Sequence, residues 1–122
     1  MRLGAALALL LVAAAVGSAP AAEEEEIDAA TLAEVIAVAS MKHPDPPSAE
    51  VRNVHRSLAT GGHGYCGEIS AGSGDGTFTV FHALLRSALG PAVLLMSEYP
   101  ETDGSPNAVA VRTMMHNFGC VE

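Results

Sequence analysis

A small α+β domain is what this 122-residue chain predicts: an N-terminal helix, a three- to four-stranded antiparallel sheet and a C-terminal helix, with one disulfide. Three observations carry the expectation. Ile27, Leu32, Val35, Ile36 and Ala39 recur at helical spacing and make one apolar stripe. Val51–Leu58 and Tyr65–Ala71 alternate with the strand period of two, on either side of a glycine-rich turn. Cys66 and Cys120 are the only cysteines, enough for one intramolecular bridge.

The first 21 residues read as a targeting segment. Met1-Arg2 gives a positive start, Leu3–Val16 is an unbroken run of Leu, Ala, Val and Gly, and Ala19-Pro20-Ala21 fits an A-x-A cleavage site. That run of 14 residues is short of the roughly 20 needed to cross a bilayer. The expectation is a general secretory signal cleaved near Ala21/Ala22, leaving a periplasmic or secreted protein without a membrane anchor. Residues 22–43 then hold an acidic leader and a helix; residues 44–122 hold the sheet and the C-terminal helix, forming one domain with residues 27–43.

Charge narrows the partners. The chain carries 6 basic and 14 acidic residues, net −8, and loss of Arg2 with the signal would make it −9. Nucleic-acid phosphates and anionic lipid surfaces both demand a basic face, so neither is an expected partner. What remains is a protein or small-molecule partner of unknown identity. A domain this small buries only about 60–65% of its unfolded surface, so its core is modest. Closing the loop of about 55 residues between Cys66 and Cys120 stabilises by about 4 kcal/mol in chain-entropy terms.

Each element has a local reason. Glu23–Glu26 is a solvated acidic run that also favours the positive end of the helix after it. Ile27–Met41 is predicted helical, capped by Asp28 or by Thr31, whose T-x-x-E pattern reaches Glu34. Pro44, Pro46 and Pro47 stop it and make His43–Pro47 a stiff linker, with Ser48 capping a single turn. Between the first two strands, pairing Leu58 with Tyr65 sets Val54 against Ile69, His55 against Glu68 and Ser57 against Cys66. Gly72–Gly76 reads as a second hairpin turn: it lacks the Lys-Ser/Thr of a phosphate loop, and a strand follows it. Thr77–Leu85 is that strand, and the loop length leaves open whether Phe78 or Phe81 shares the Tyr65 side. Ala92–Met96 is a short fourth strand. Ser105-Pro106 reads as a cap and first helical residue, opening a helix through Phe118 with Ala108, Val111, Met115 and Phe118 on its buried stripe.

Cys66-Gly67-Glu68-Ile69-Ser70-Ala71 through Gly76-Thr77-Phe78-Thr79-Val80-Phe81 resembles the signature C-G-E-V-N-A-K-N-x-[FY]-G-G-Y-T-G-F of a family of small exported bacterial proteins. Cys66, Gly67, Glu68, Ala71, Gly76, Thr79 and Phe81 match without a gap. Upstream, Pro44 and Ser48–Val54 look like that family's D-P-x-S-A-x-F-R-N-V, and a cysteine near the C-terminus completes the likeness. Ser70 stands where the family has Asn, and Gly72-Ser73 where it has Lys-Asn. The resemblance implies export and a fold rather than an activity.

Chemistry enters through one face. Cys66, His55 and Glu68 share a polar side in this register, the thiolate–imidazole–carboxylate logic of cysteine hydrolases. A Cys66–Cys120 disulfide would consume that nucleophile. His43, His55, His63, His82 and His116 are not spaced as metal ligands on one helix face, so neither a metal nor a cofactor is expected. The expected function is therefore a non-enzymatic binding or interaction module, with His55, Glu68 and His82 as the candidate binding face. The alternative is a small cysteine-dependent hydrolase or redox protein using Cys66 with His55.

Overall fold

The computed structural model describes residues 27–122. The segment expected to be a secretory signal, its expected cleavage site and the Glu23–Glu26 run lie outside the described residues. In chain order come helix α1 (Ala29–Ala39), strands β1 (Val51–Arg56), β2 (Gly64–Ser70), β3 (Phe78–Leu84) and β4 (Ala92–Leu95), and helix α2 (Pro106–Asn117). Short 3₁₀ turns stand at Ser40–Lys42, Pro46–Ser48 and Met96–Glu98. The strands form an antiparallel meander in the order β1-β2-β3-β4. The fold is α+β with one disulfide, Cys66–Cys120.

Of the two caps open to α1, Asp28 is the one used: its Oδ1 accepts from the Thr31 amide at 2.7 Å. The helix buries Val35, Val38 and Ala39, whereas Ile36 is 38% exposed. The buried set follows i, i+3, i+4 from Val35, which turns Ile36 off the sheet. At the other end of the chain, Ser105 caps α2 through its side chain and Pro106 takes the first helical position. Gly119 (φ +80) ends α2: its amide donates to the His116 carbonyl, and that of Cys120 to the Met115 carbonyl. This two-bond ending turns Cys120 back toward the sheet.

Residues opposite one another in the sheet share a side, so register assigns each face. Tyr65, Gly67 and Ile69 of β2 pair with Ala83, Phe81 and Thr79 of β3, and Phe81 and Ala83 pair with Leu95 and Val93 of β4. This is the face α1 covers, and its aliphatic core gathers Val35, Val38, Ala39, Tyr65, Ile69, Phe81, Ala83, Leu85 and Val93. Gly67 is required there. A Cβ at that position would stand 2.7 Å from Cζ of Phe81, whose ring crosses over it. The opposite face holds Cys66, Glu68, Ser70, Phe78, Val80 and His82. The end of α2 closes it through the Cys66–Cys120 bond (Cα–Cα 5.1 Å) and a Phe118 ring stacked 4.4 Å from that of His82.

The β1–β2 register differs from the expectation. Val51 pairs with Ile69 and Arg52 with Glu68, then His55 with Cys66 and Arg56 with Tyr65. Between the two pairs, Asn53 and Val54 stand opposite Gly67 alone, a β-bulge, with Asn53 at φ +57. Asn is among the few residues that adopt this left-handed conformation readily. His55 therefore does not oppose Glu68, and Leu58 does not oppose Tyr65. Leu58 has left the sheet, its amide donating to the Phe118 carbonyl (2.9 Å) and its side chain 75% exposed.

The second hairpin settles the other open point. Ser70 pairs with Phe78, so Phe81, not Phe78, lies on the Tyr65 side. The loop between them uses Gly72, Gly74 and Gly76 at φ of +85, +81 and +81. Asp75 ties it internally, its Oδ1 accepting from Ser73 Oγ, Thr77 N and Thr77 Oγ1. Those hydroxyls and that amide hold the Asp75 carboxyl down to about 2.

Candidate functional site

Strand parity keeps His55, Glu68 and His82 on one side of the sheet, yet the structure does not gather them into one site. His82 is 3% exposed, sealed under Phe118, with Nε2 3.0 Å from Ser57 Oγ. Burial pushes its imidazole down to about 4, so it is neutral near pH 7. Gly64 makes room for this pair, since a Cβ there would clash with Ser57 Oγ and His82 Nε2.

Glu68 is occupied by β1. Its Oε1 accepts from Arg52 Nε and from Asn53 Nδ2, both at 2.8 Å, and these bonds hold its carboxyl below the usual range. The bulge creates this arrangement, because it brings Arg52 opposite Glu68 and swings Asn53 toward it. Arg52 also lies 3.7 Å over the Phe78 ring. His55 and Glu68 border a recess of about 130 Å³ together with Asn53, Gly67, Val80 and Cys120. Cys66 itself is wholly buried and bonded, so no thiolate stands beside His55.

A larger site lies where the sequence suggested only a linker and a turn. The His43–Glu50 connector and the 72–78 loop face each other across a cleft of about 360 Å³. His43, Pro44, Asp45, Ser48 and Glu50 line one side; Ser70, Gly72, Gly74, Gly76, Thr77 and Phe78 line the other. The two walls lie 20 or more residues apart in sequence. Pro44 seats directly against Gly72, where a Cβ would meet its ring at 2.6 Å.

Ser70 joins the two walls. Its Oγ accepts from the Glu50 amide at 3.0 Å and lies 3.2 Å from His43 Nε2. His43 Nδ1 accepts from the Asp45 amide at 2.9 Å, so the neutral ring carries its proton on Nε2 and donates to Ser70. That tautomer is the wrong one for a base: His43 gives a proton to the Ser70 oxygen instead of taking one. Asp45 Oδ2 accepts from Ser48 Oγ at 2.9 Å, which fixes the turn at the cleft mouth. Among the described residues, the carboxylates that line the cleft are Asp45 and Glu50, and no Lys or Arg lines it.

Periodicity missed this site because neither segment is periodic: one is proline-rich and the other glycine-rich. Among the described residues, no three His, Cys, Asp or Glu side chains group as metal ligands, and no helix is long and apolar enough to cross a membrane. Comparison with protein-family models, with curated proteins and with solved structures returns no match to this chain.

Proposed function

We propose that this is a small exported domain that binds a partner non-enzymatically through the cleft between the His43–Glu50 connector and the 72–78 loop. One observation carries the reading: segments distant in sequence are locked together around a concave, polar, pre-formed space by Ser70 and by the Pro44–Gly72 contact. Two further observations weigh against turnover. Cys66 is bonded to Cys120, and the tautomer of His43 leaves Ser70 without a base. The leader of residues 1–21 and the disulfide are both compatible with an oxidising compartment.

Native mass spectrometry of the protein recovered from the exported fraction tests the reading. Its mass should correspond to a chain beginning near Ala22, with a non-covalent adduct retained by the wild type. Ser48→Trp, which fills the cleft from an exposed position, should lose the adduct. Turnover of a generic ester or peptide panel, or an adduct unaffected by Ser48→Trp, would overturn it.

A further inference from the structure

Resting on that reading of the cleft, we infer that its ligand is an uncharged saccharide or similar polyol. Three properties of the lining select that class. First, among the described residues the lining holds no Lys or Arg, its one ring nitrogen base, His43, is hydrogen-bonded to Ser70 and the Asp45 amide, and its other polar side chains are oxygen groups: Asp45, Glu50, Ser48, Ser70 and Thr77. Anionic ligands such as phosphates and acidic peptides meet only like charge there. Donor-rich ligands meet carboxylate acceptors, and a hydroxyl donating to a carboxylate makes a short, charge-assisted bond.

Second, the acceptors are presented rather than consumed. Among the described residues, the Glu50 carboxylate has no hydrogen-bond or ion-pair partner, and Asp45 engages only Oδ2, through Ser48 Oγ. Ser70 accepts from the Glu50 amide and from His43, which leaves its own O–H to donate. The cleft thus offers two carboxylate acceptors and a neutral hydroxyl donor within one space, the pairing that a vicinal diol satisfies from both of its oxygens.

Third, the lining is not wholly polar. Pro44 and Phe78 add apolar surface, and Arg52 stacked 3.7 Å from the Phe78 ring holds that ring in place. A sugar ring presents C–H groups on its faces and hydroxyls on its rim, and matches such a mixed wall. A bare ammonium ion has no use for the apolar part. A fatty ligand has no use for the carboxylates. A volume of about 360 Å³ sits at the lower end of ligand sites and suits one or two sugar units.

Amide chemical-shift mapping on the isotope-labelled full protein is the test. The probes are glucose, galactose, N-acetylglucosamine and cellobiose, with arginine amide as a cationic comparison, each at low and at high salt. The expected result is that at least one sugar shifts the amides of Ser48, Glu50, Ser70 and 72–78 saturably and independently of salt. Glu50→Gln should then weaken that sugar at least about tenfold, the loss expected when a charge-assisted bond becomes a neutral one. Asp45→Asn and Phe78→Ala should weaken it too, with the remaining amide spectrum unchanged. Two results would overturn the inference. Shifts at the same amides with arginine amide alone, abolished by salt, would make the ligand cationic and leave the cleft reading standing. No shift with any probe would remove the saccharide assignment, and the cleft reading then stands or falls on whether Ser48→Trp loses the native adduct.

Discussion

The two faces of the sheet are closed by different means. Under α1, nine buried residues, all apolar apart from the Tyr65 hydroxyl, interlock across three strands, and a glycine lets Phe81 lie flat. Under α2, the same strands present Cys66, Glu68 and His82, and closure comes from one covalent bond and one ring stack. Ala108, Val111 and Met115 of α2 are buried, but they stand outside the aliphatic cluster. The difference shows how a short chain divides its resources. Its apolar side chains suffice for one good core, and the second face depends on cross-linking.

Breaking each face separately tests that contrast. The largest effect should follow loss of the disulfide: in the Cys66→Ser/Cys120→Ser double variant, or on reduction, stability to denaturant falls by about 4 kcal/mol. Hydrogen exchange should show the loss first at α2 and at the Leu58 amide. Equal loss at α1 would mean that the faces unfold as one unit. Next is Ile69→Ala, which opens a cavity under α1 and should cost about 3 kcal/mol with the disulfide intact. A cost under about 1 kcal/mol would show that this face is less tightly packed than its burial indicates.

The third effect is specific to the α2 face. His82 is held neutral, at about 4 against an ordinary 6.5, so the unfolded chain binds the extra proton between those values. Stability should therefore fall as pH drops through that window, by about 2 kcal/mol from about pH 7 to about pH 5. Asp28, Glu68, Asp75 and Asp103, whose carboxyls are all lowered, lose their contribution only at more acidic pH. His82→Leu should flatten the upper window and spare the lower one, measured by denaturant titration across pH. The smallest effect belongs to the bulge. Asn53→Ala should cost about 1 kcal/mol through its left-handed backbone, and Asn53→Gly should restore most of it.

Short-range chemistry accounts for the features legible in the sequence. Ser105-Pro106 opens α2, Gly72–Gly76 makes a hairpin, and alternation assigns Tyr65 and Ile69 to one face with Cys66 and Glu68 on the other. Each depends on residues a few positions apart. The misplaced register shows where that reach ends. Leu58 was expected opposite Tyr65 because the alternation of β1 continues through it. A bond from its amide to Phe118, 60 residues away, takes it out of the sheet, Tyr65 meets Arg56 two residues earlier, and the bulge at Asn53 adds a third residue of slip. His55 and Glu68 keep their common face, because the slip on the His55 side of the bulge is two residues and preserves parity, whereas Arg52 beyond it changes face. They lose each other as partners, because register is not local.

The cleft lies wholly in the second category. His43–Pro47 read as a stiff linker and Gly72–Gly76 as a turn, and both descriptions hold for the backbone. Only the pairing of β2 with β3 and the return of the connector along β1 set them face to face, with Ser70 bonded to both walls. By itself the sequence determined the elements, the Ser105-Pro106 cap, the faces of β2 and the single pair of cysteines available to bond, whereas alternation put Val51 and Arg52 on the wrong faces of β1. Tertiary structure decided the register, the neutral buried His82 and the cleft. Periodicity and capping act within a few residues, whereas register and concave sites arise from contacts between segments whose sequences carry no record of their distance in space.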